Sequence, residues 1–183
     1  MAKYEASHSM KWVALRYFNV CGAAAEGDIG EDKARPSTLM TMCIYHLLGK
    51  RPKLKIFGRD YPTPDGTAIR DYIHPSDLAT GHLAALRRLQ DTNTSDVFNL
   101  GNGKGDSVLQ VILAVEKASG KTIKREDAPR RAGDPAISIC DPSRANSLLN
   151  WTPAFDLDAM AKTAWEWHSK HPDGFATASG GAA

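Results

Sequence analysis

The 183-residue sequence predicts an α/β fold, from three observations. Residues 12–20, WVALRYFNV, are apolar on both faces except at Arg16, as a strand inside a parallel sheet is. Residues 97–100 form a second apolar strand. Around these, short β-rich runs alternate with helical patterns that carry cap signals.

In chain order, residues 1–10 are polar with helical fragments and read as the end of a helix. The strand at 12–20 follows, then a glycine-rich acidic loop at 23–35. Residues 36–48 place Leu39, Cys43 and Leu47 at helical spacing and stop at Gly49. A short strand at 53–57 leads through a loop with two prolines to a turn at Asp65 and Gly66. Residues 70–74 read as a strand with Arg70 and Tyr72 on one face. Pro75 and Ser76 break it, and a helix runs from Ser76 to about Leu89, with Leu78, His82, Ala85 and Leu89 on one side. After the 97–100 strand, a glycine-rich turn enters a helix with a Ser107/Gln110 capping box, closed by Gly120. Residues 122–126 and 136–140 read as extended, separated by the turn PRRAGD at 129–134. Asp141 caps a helix with Pro142 in its first position. The last helix starts at Asp156, with Phe155 set to staple onto Met160, and buries Met160, Ala164 and Trp165. From Pro172 the composition shifts to Gly, Ala, Ser and Thr, which predicts a disordered tail over 176–183. There is no internal repeat.

With 42% hydrophobic and 24% charged residues the chain is long enough for one ordinary core, with room for an attached lobe. A net charge of +2, with both signs interspersed, gives no electrostatic case for nucleic acid or membrane surfaces. Cys21, Cys43 and Cys140 are widely spaced without C-x-x-C, which favours reduced thiols in a cytoplasmic protein. No apolar run reaches membrane length, so a soluble protein is expected.

The tempting motif is VFNLGNGKGDSV at 97–108, but G-x-G-x-x-G would need glycine where Asp106 stands, and Lys104 is followed by Gly105 rather than Ser or Thr. It reads as a structural turn. His168 and His171 lack nearby ligands, so no metal site is expected. Arg70 leaving a turn at the start of a strand has the rigid donor fork that grips phosphate. Arg130, Arg131 and Asp134 in one turn combine cations with a carboxylate, suited to a phosphate and a ribose hydroxyl together. By spacing alone, a surface arginine and a surface salt-bridge loop are the commoner readings of these residues.

Six segments in order carry a resemblance: LRYFNVCGA at 15–23, IGED at 29–32, FGRDYPTPDGTAIRDYIHPSDLATGH at 57–82, FNLGNGKGDSV at 98–108, APRRAGDPA at 128–136, and DPSRA with LNW near Asn150. In order and spacing the chain resembles the carboxyl-terminal half of the UDP-glucose 4-epimerases, a family of extended short-chain dehydrogenase/reductases. The resemblance implies the substrate-binding lobe plus the last strands of a Rossmann sheet, with most of the Rossmann domain absent. It implies a UDP-hexose site. Asn19 falls at the diphosphate or sugar, Leu39 and the backbone around Phe57 at the uracil, Arg70 and Arg131 at the diphosphate, and Asp134 at a ribose hydroxyl. Tyr17 and Phe18 fall where the family's chain passes the nicotinamide of NAD. Ser37 and Thr38 replace two asparagines of the family pattern. Ser138 stands where some members have a tyrosine that closes the sugar pocket, and a small residue there is associated with N-acetylhexosamines.

The family's glycine-rich NAD loop and its Tyr-x-x-x-Lys pair, which act through a 4-keto sugar, have no counterpart here. Tyr4 precedes the first strand, and His8 stands at the lysine position. The chain is thus expected to begin after the catalytic residues, to be inactive alone, and to form a homo-oligomer or pair with a separate Rossmann half. Three readings stay open: a piece of an epimerase, a stand-alone nucleotide-sugar-binding module, and a degenerate oligomerising protein that kept the fold.

Overall fold

The computed structural model describes residues 1–32 and 36–175, so the predicted tail at 176–183 lies outside the described residues. The chain opens with α1 (Ala2–His8), β1 (Val13–Tyr17), β2 (Asn19–Val20), α2 (Leu39–Leu47) and β3 (Leu54–Phe57). Next come β4 (Ile69–Arg70), β5 (Tyr72–Ile73), the long α3 (Pro75–Thr92), β6 (Asp96–Leu100), β7 (Asp106–Ser107) and α4 (Val108–Ser119). It closes with β8 (Arg125–Ala128), β9 (Ile137–Ser138), α5 (Ser143–Leu149) and α6 (Leu157–Lys170).

Among the described residues the strands form four small sheets. β1 runs parallel to β6 in the register Val13↔Asp96 to Tyr17↔Leu100. β2 pairs in parallel with β5, and β3 with β8. β4 lies between antiparallel β7 and parallel β9. The strand expected over 12–20 is therefore two strands that change neighbours at Phe18, and the one over 70–74 is likewise split at Asp71. One cause serves both: the Asp71 carbonyl accepts from the Asn19 backbone N–H at 3.1 Å and from Asn19 Nδ2 at 2.9 Å.

Two cores result. The larger packs Met40, Cys43 and Ile44 of α2 against Ile56 of β3, Val111, Ile112 and Val115 of α4, and Met160 and Ala161 of α6. The smaller lies under α3 and α5, where Ala85, Phe98, Leu100, Ala145 and Trp151 meet, with Val13 and Leu15 of β1 against it. Full burial of such side chains contributes about 1.5–3 kcal/mol each, so each core holds its own set of elements.

Local chemistry sets the helix boundaries. α4 carries the full capping box, Ser107 Oγ accepting from Gln110 N and Gln110 Oε1 from Ser107 N. α3 starts one residue earlier than expected, because the His74 side chain accepts from Ser76 N and Pro75 occupies the first turn. α2 starts at Leu39 rather than Pro36: the Thr38 hydroxyl is drawn to Glu31 and Thr41. α5 takes Pro142 as N-cap, with the Asp141 carboxylate accepting from Ser143 N at 3.0 Å. Asp156 caps α6. Phe155, expected as a staple onto Met160, has its ring stacked on His74 with centroids 3.9 Å apart. The strand expected at 122–126 sits at Arg125–Ala128, paired to β3, while Ile123 turns into the core.

Candidate functional site

The site grows from one buried carboxylate. Asp71 is fully buried, and its Oδ1 and Oδ2 accept from Asn102 N and Gly103 N, both at 2.8 Å, and from Cys140 N at 3.2 Å. Backbone donors of this kind offset the desolvation of a buried charge. They also consume the Asn102 and Gly103 amides at the centre of the 101–105 turn, which makes that turn a structural one rather than a cradle for pyrophosphate. Gly101 is needed there for room: a Cβ would sit 2.5 Å from Cys140 Cβ and 2.8 Å from Asp71 Oδ1.

With Asp71 turned inward, Arg70 emerges from β4. Its Nη2 donates to Asp134 Oδ1 at 2.8 Å and its Nη1 to the Ile69 carbonyl at 2.7 Å. Ser138 is its register neighbour on β9 and is half-buried. Asp134 belongs to the loop at 129–136 that leaves β8 and enters β9, and its N–H donates to the Arg131 carbonyl at 3.2 Å. The Arg131 guanidinium lies 3.9 Å from the centre of the Phe57 ring, at the end of β3. Arg130 does the same on Tyr61 at 4.2 Å and donates to Asp60 Oδ1 at 2.8 Å. Cation–π contacts at such distances hold a guanidinium in place.

Phe57, Arg70, Arg131, Asp134 and Ser138 are thus joined into one network, and Asn19 reaches it through the Asp71 carbonyl. Leu39 is apart from this network, half-buried in the first turn of α2 against the larger core. Tyr17 is half exposed with its ring 6.3 Å from that of His82, and Phe18 is half-buried at the break between β1 and β2. Tyr72 does not share the outer face with Arg70 but is buried in the larger core. His82 is exposed on α3 rather than on its packed side. Asp71 was not singled out from the sequence. The usable signal was a carboxylate in a β-rich run, together with a glycine turn whose amides need an acceptor.

Electrostatics follow burial. Desolvation pushes Asp106 up, with the Asp71 charge adding to it. Desolvation and Asp71 together push the Cys140 thiol up to about 12. For Asp65, burial works upward, but hydrogen bonds from Ser107 and Thr67 prevail and hold it below the ordinary carboxylate value. Among the described residues no group of His, Cys, Asp or Glu could hold a metal ion. His168 packs edge-on against Tyr45 and His171 stacks on Trp167. No helix is long and apolar enough to cross a membrane.

Parallel strand pairs backed by helices, joined to a helical lobe with an arginine-bearing loop, define an α/β protein of the extended short-chain dehydrogenase/reductase class, present in part. A sequence profile of the NAD dependent epimerase/dehydratase family matches residues 1–101, and the chain belongs to that family. It is 47% identical over 174 residues to a UDP-glucose 4-epimerase of Homo sapiens, covering 94% of this chain and 50% of that protein. With a UDP-glucose 4-epimerase of Lacticaseibacillus casei the identity is 43% over 172 residues, 93% of this chain and 52% of the other. The crystal structure of UDP-glucose-4-epimerase from Stenotrophomonas maltophila, with bound NAD and formylated UDP-arabinopyranose, matches with TM-score 0.89. The identity is 40%, over 93% of this chain and 51% of that one. The Bifidobacterium longum enzyme in complex with NAD+ and UDP matches with TM-score 0.86 at 41% identity, over 95% and 52% of the two chains. The chain spans about half the length of these relatives.

Proposed function

We propose that this chain provides the UDP-hexose site of a UDP-glucose 4-epimerase, with residues 1–175 as the carboxyl-terminal half of such an enzyme. The observation that carries the reading is the convergence of Arg70, Arg131 and Asp134, with Arg70 and Asp134 paired across 64 residues of sequence. Two guanidinium groups match the two phosphates of a diphosphate, and the carboxylate paired with Arg70 matches a ribose hydroxyl. In this reading Phe57 and Leu39 border the uracil, Asn19 faces the diphosphate or sugar, and Ser138 leaves room for an N-acetyl group. Tyr17 and Phe18 border the nicotinamide.

The residues of this chain do not fit NAD by themselves. The 101–105 turn has committed its Asn102 and Gly103 amides to Asp71, and the 183 residues contain neither G-x-G-x-x-G nor Tyr-x-x-x-Lys. The chain's own part is to bind and orient the nucleotide sugar. The dinucleotide site and proton transfer at the sugar belong to a Rossmann unit that docks on the free edge of β1, which pairs only with β6 among the described residues. In this reading that unit lies outside residues 1–183, and a second copy of this chain is the competing occupant of the edge.

Calorimetric titration of UDP-glucose into the full chain tests the reading. Loss of one charge-assisted phosphate contact is worth about 1.5–3 kcal/mol, so Arg70→Ala should weaken binding about 10- to 100-fold. No binding by the unaltered chain would leave the third alternative, a degenerate interaction protein.

A further inference from the structure

The 129–136 loop bridges two sheets that share no strand, the β3–β8 pair and the β7–β4–β9 sheet. Its side chains reach back to both, Arg131 to Phe57 of β3 and Asp134 to Arg70 of β4. Both terminal nitrogens of Arg70 are engaged within the chain, one on Asp134 and one on the Ile69 carbonyl. The Arg70 side chain is 17% exposed and that of Asp134 35%. An anion arriving at Arg70 therefore meets a carboxylate already in its place. The loop is held by side chains of partly exposed residues, so the exchange of one partner for another needs no rearrangement of a core.

We propose that Asp134 is a specificity-determining residue that keeps bare phosphate and pyrophosphate off Arg70 and admits ligands whose diphosphate carries a hydroxylated sugar. This rests on the nucleotide-sugar reading of the site. Pyrophosphate has to break the Arg70–Asp134 pair, and it leaves Asp134 beside a multiply charged anion with neither the guanidinium nor a ribose hydroxyl as its partner. A nucleoside diphosphate brings ribose hydroxyls. Asp134 moves from the guanidinium to a hydroxyl, Arg70 turns to the phosphate, and both groups stay paired. Discrimination thus comes from a repulsive element as well as an attractive one.

The test uses the full chain and two probes, inorganic pyrophosphate and UDP, each titrated calorimetrically into the unaltered protein and into Asp134→Asn. Removing one like charge at a partly exposed site should tighten pyrophosphate binding about three- to thirtyfold. UDP binding should not gain in proportion, so the preference for UDP over pyrophosphate falls. Adding Arg70→Gln to Asp134→Asn should abolish the pyrophosphate gain, which separates a released Arg70 from a general change in charge. Unchanged or weaker pyrophosphate binding by Asp134→Asn would overturn the proposal, as would an unchanged preference ratio. Failure of UDP to bind either protein overturns the nucleotide-sugar reading instead, and the pyrophosphate arm reads the Asp134 exclusion on its own.

Discussion

Asp71 keeps a fully buried carboxylate by accepting from three backbone N–H groups, two from the glycine turn and one from Cys140. Each donor left unsatisfied costs about 1–3 kcal/mol, so Asp71→Ala should lower the unfolding free energy by about 3 kcal/mol or more. Urea denaturation measures this, and a loss under about 1 kcal/mol would contradict the assigned role. His74 is also fully buried, with its side chain accepting from Ser76 N, and burial depresses its pKa below the ordinary 6.5. The folded state then binds fewer protons than the unfolded state below pH 6.5, so stability is lost as pH falls through the unfolded value toward the folded one. His168, depressed by burial as well, adds to the same trend. Thermal melting between about pH 7 and pH 5 should show a falling midpoint. His74→Asn, which retains a cap acceptor, should flatten that fall. Ser138 tests substrate size: Ser138→Tyr should weaken UDP-N-acetylglucosamine more than UDP-glucose in parallel titrations, and equal effects on both would remove Ser138 from the sugar pocket.

At the scale of elements, local signals act independently of the rest of the fold. Ser107→Ala removes half of the α4 capping box and should cost about 1 kcal/mol in unfolding free energy; no change would mean that packing alone holds α4. Signals of this kind were legible in the sequence: the Ser107/Gln110 box, the Asp156 cap, and the apolar runs that became β1 and β6. What the sequence did not reveal were exchanges of partner. The breaks at Phe18 and Asp71 arise because one carbonyl takes both donors of Asn19, a contact across 52 residues. Phe155 carries a local signal for Met160, and its aromatic stack on His74, 81 residues away, has no such signal. In the same way Arg70, Arg131 and Asp134 were each visible as candidates, and their meeting was not. It depends on β8 and β9 joining different sheets, which spacing does not encode. Asp71 is the harder case: the glycine turn signals amides that need an acceptor, but nothing in the spacing says that the acceptor lies 31 residues upstream.

At the scale of the molecule, the two cores divide the labour. The larger one anchors β3, which presents Phe57, and Tyr72 of β5, two residues from Arg70, and the smaller one holds β1 and β6 as a two-stranded piece of parallel sheet. Tyr4 and Tyr17 are 60% and 50% exposed, and Leu83 and Leu86 of α3 are 55% and 51% exposed. Exposed strand edges and apolar side chains of this kind draw partners. Size-exclusion chromatography of the chain alone should give a mass above the monomer that falls on paired Leu83→Lys and Leu86→Glu substitution; a concentration-independent monomer would contradict this. The central claim, that the 129–136 loop and β4 form a nucleotide-sugar site, is tested most directly by titrating UDP into the isotope-labelled chain and following backbone amides by NMR. The account predicts shifts concentrated at Phe57–Gly58, at Arg70 and Asp71, and along residues 131–138. Saturating UDP that leaves those amides unmoved, or moves only others, would contradict it.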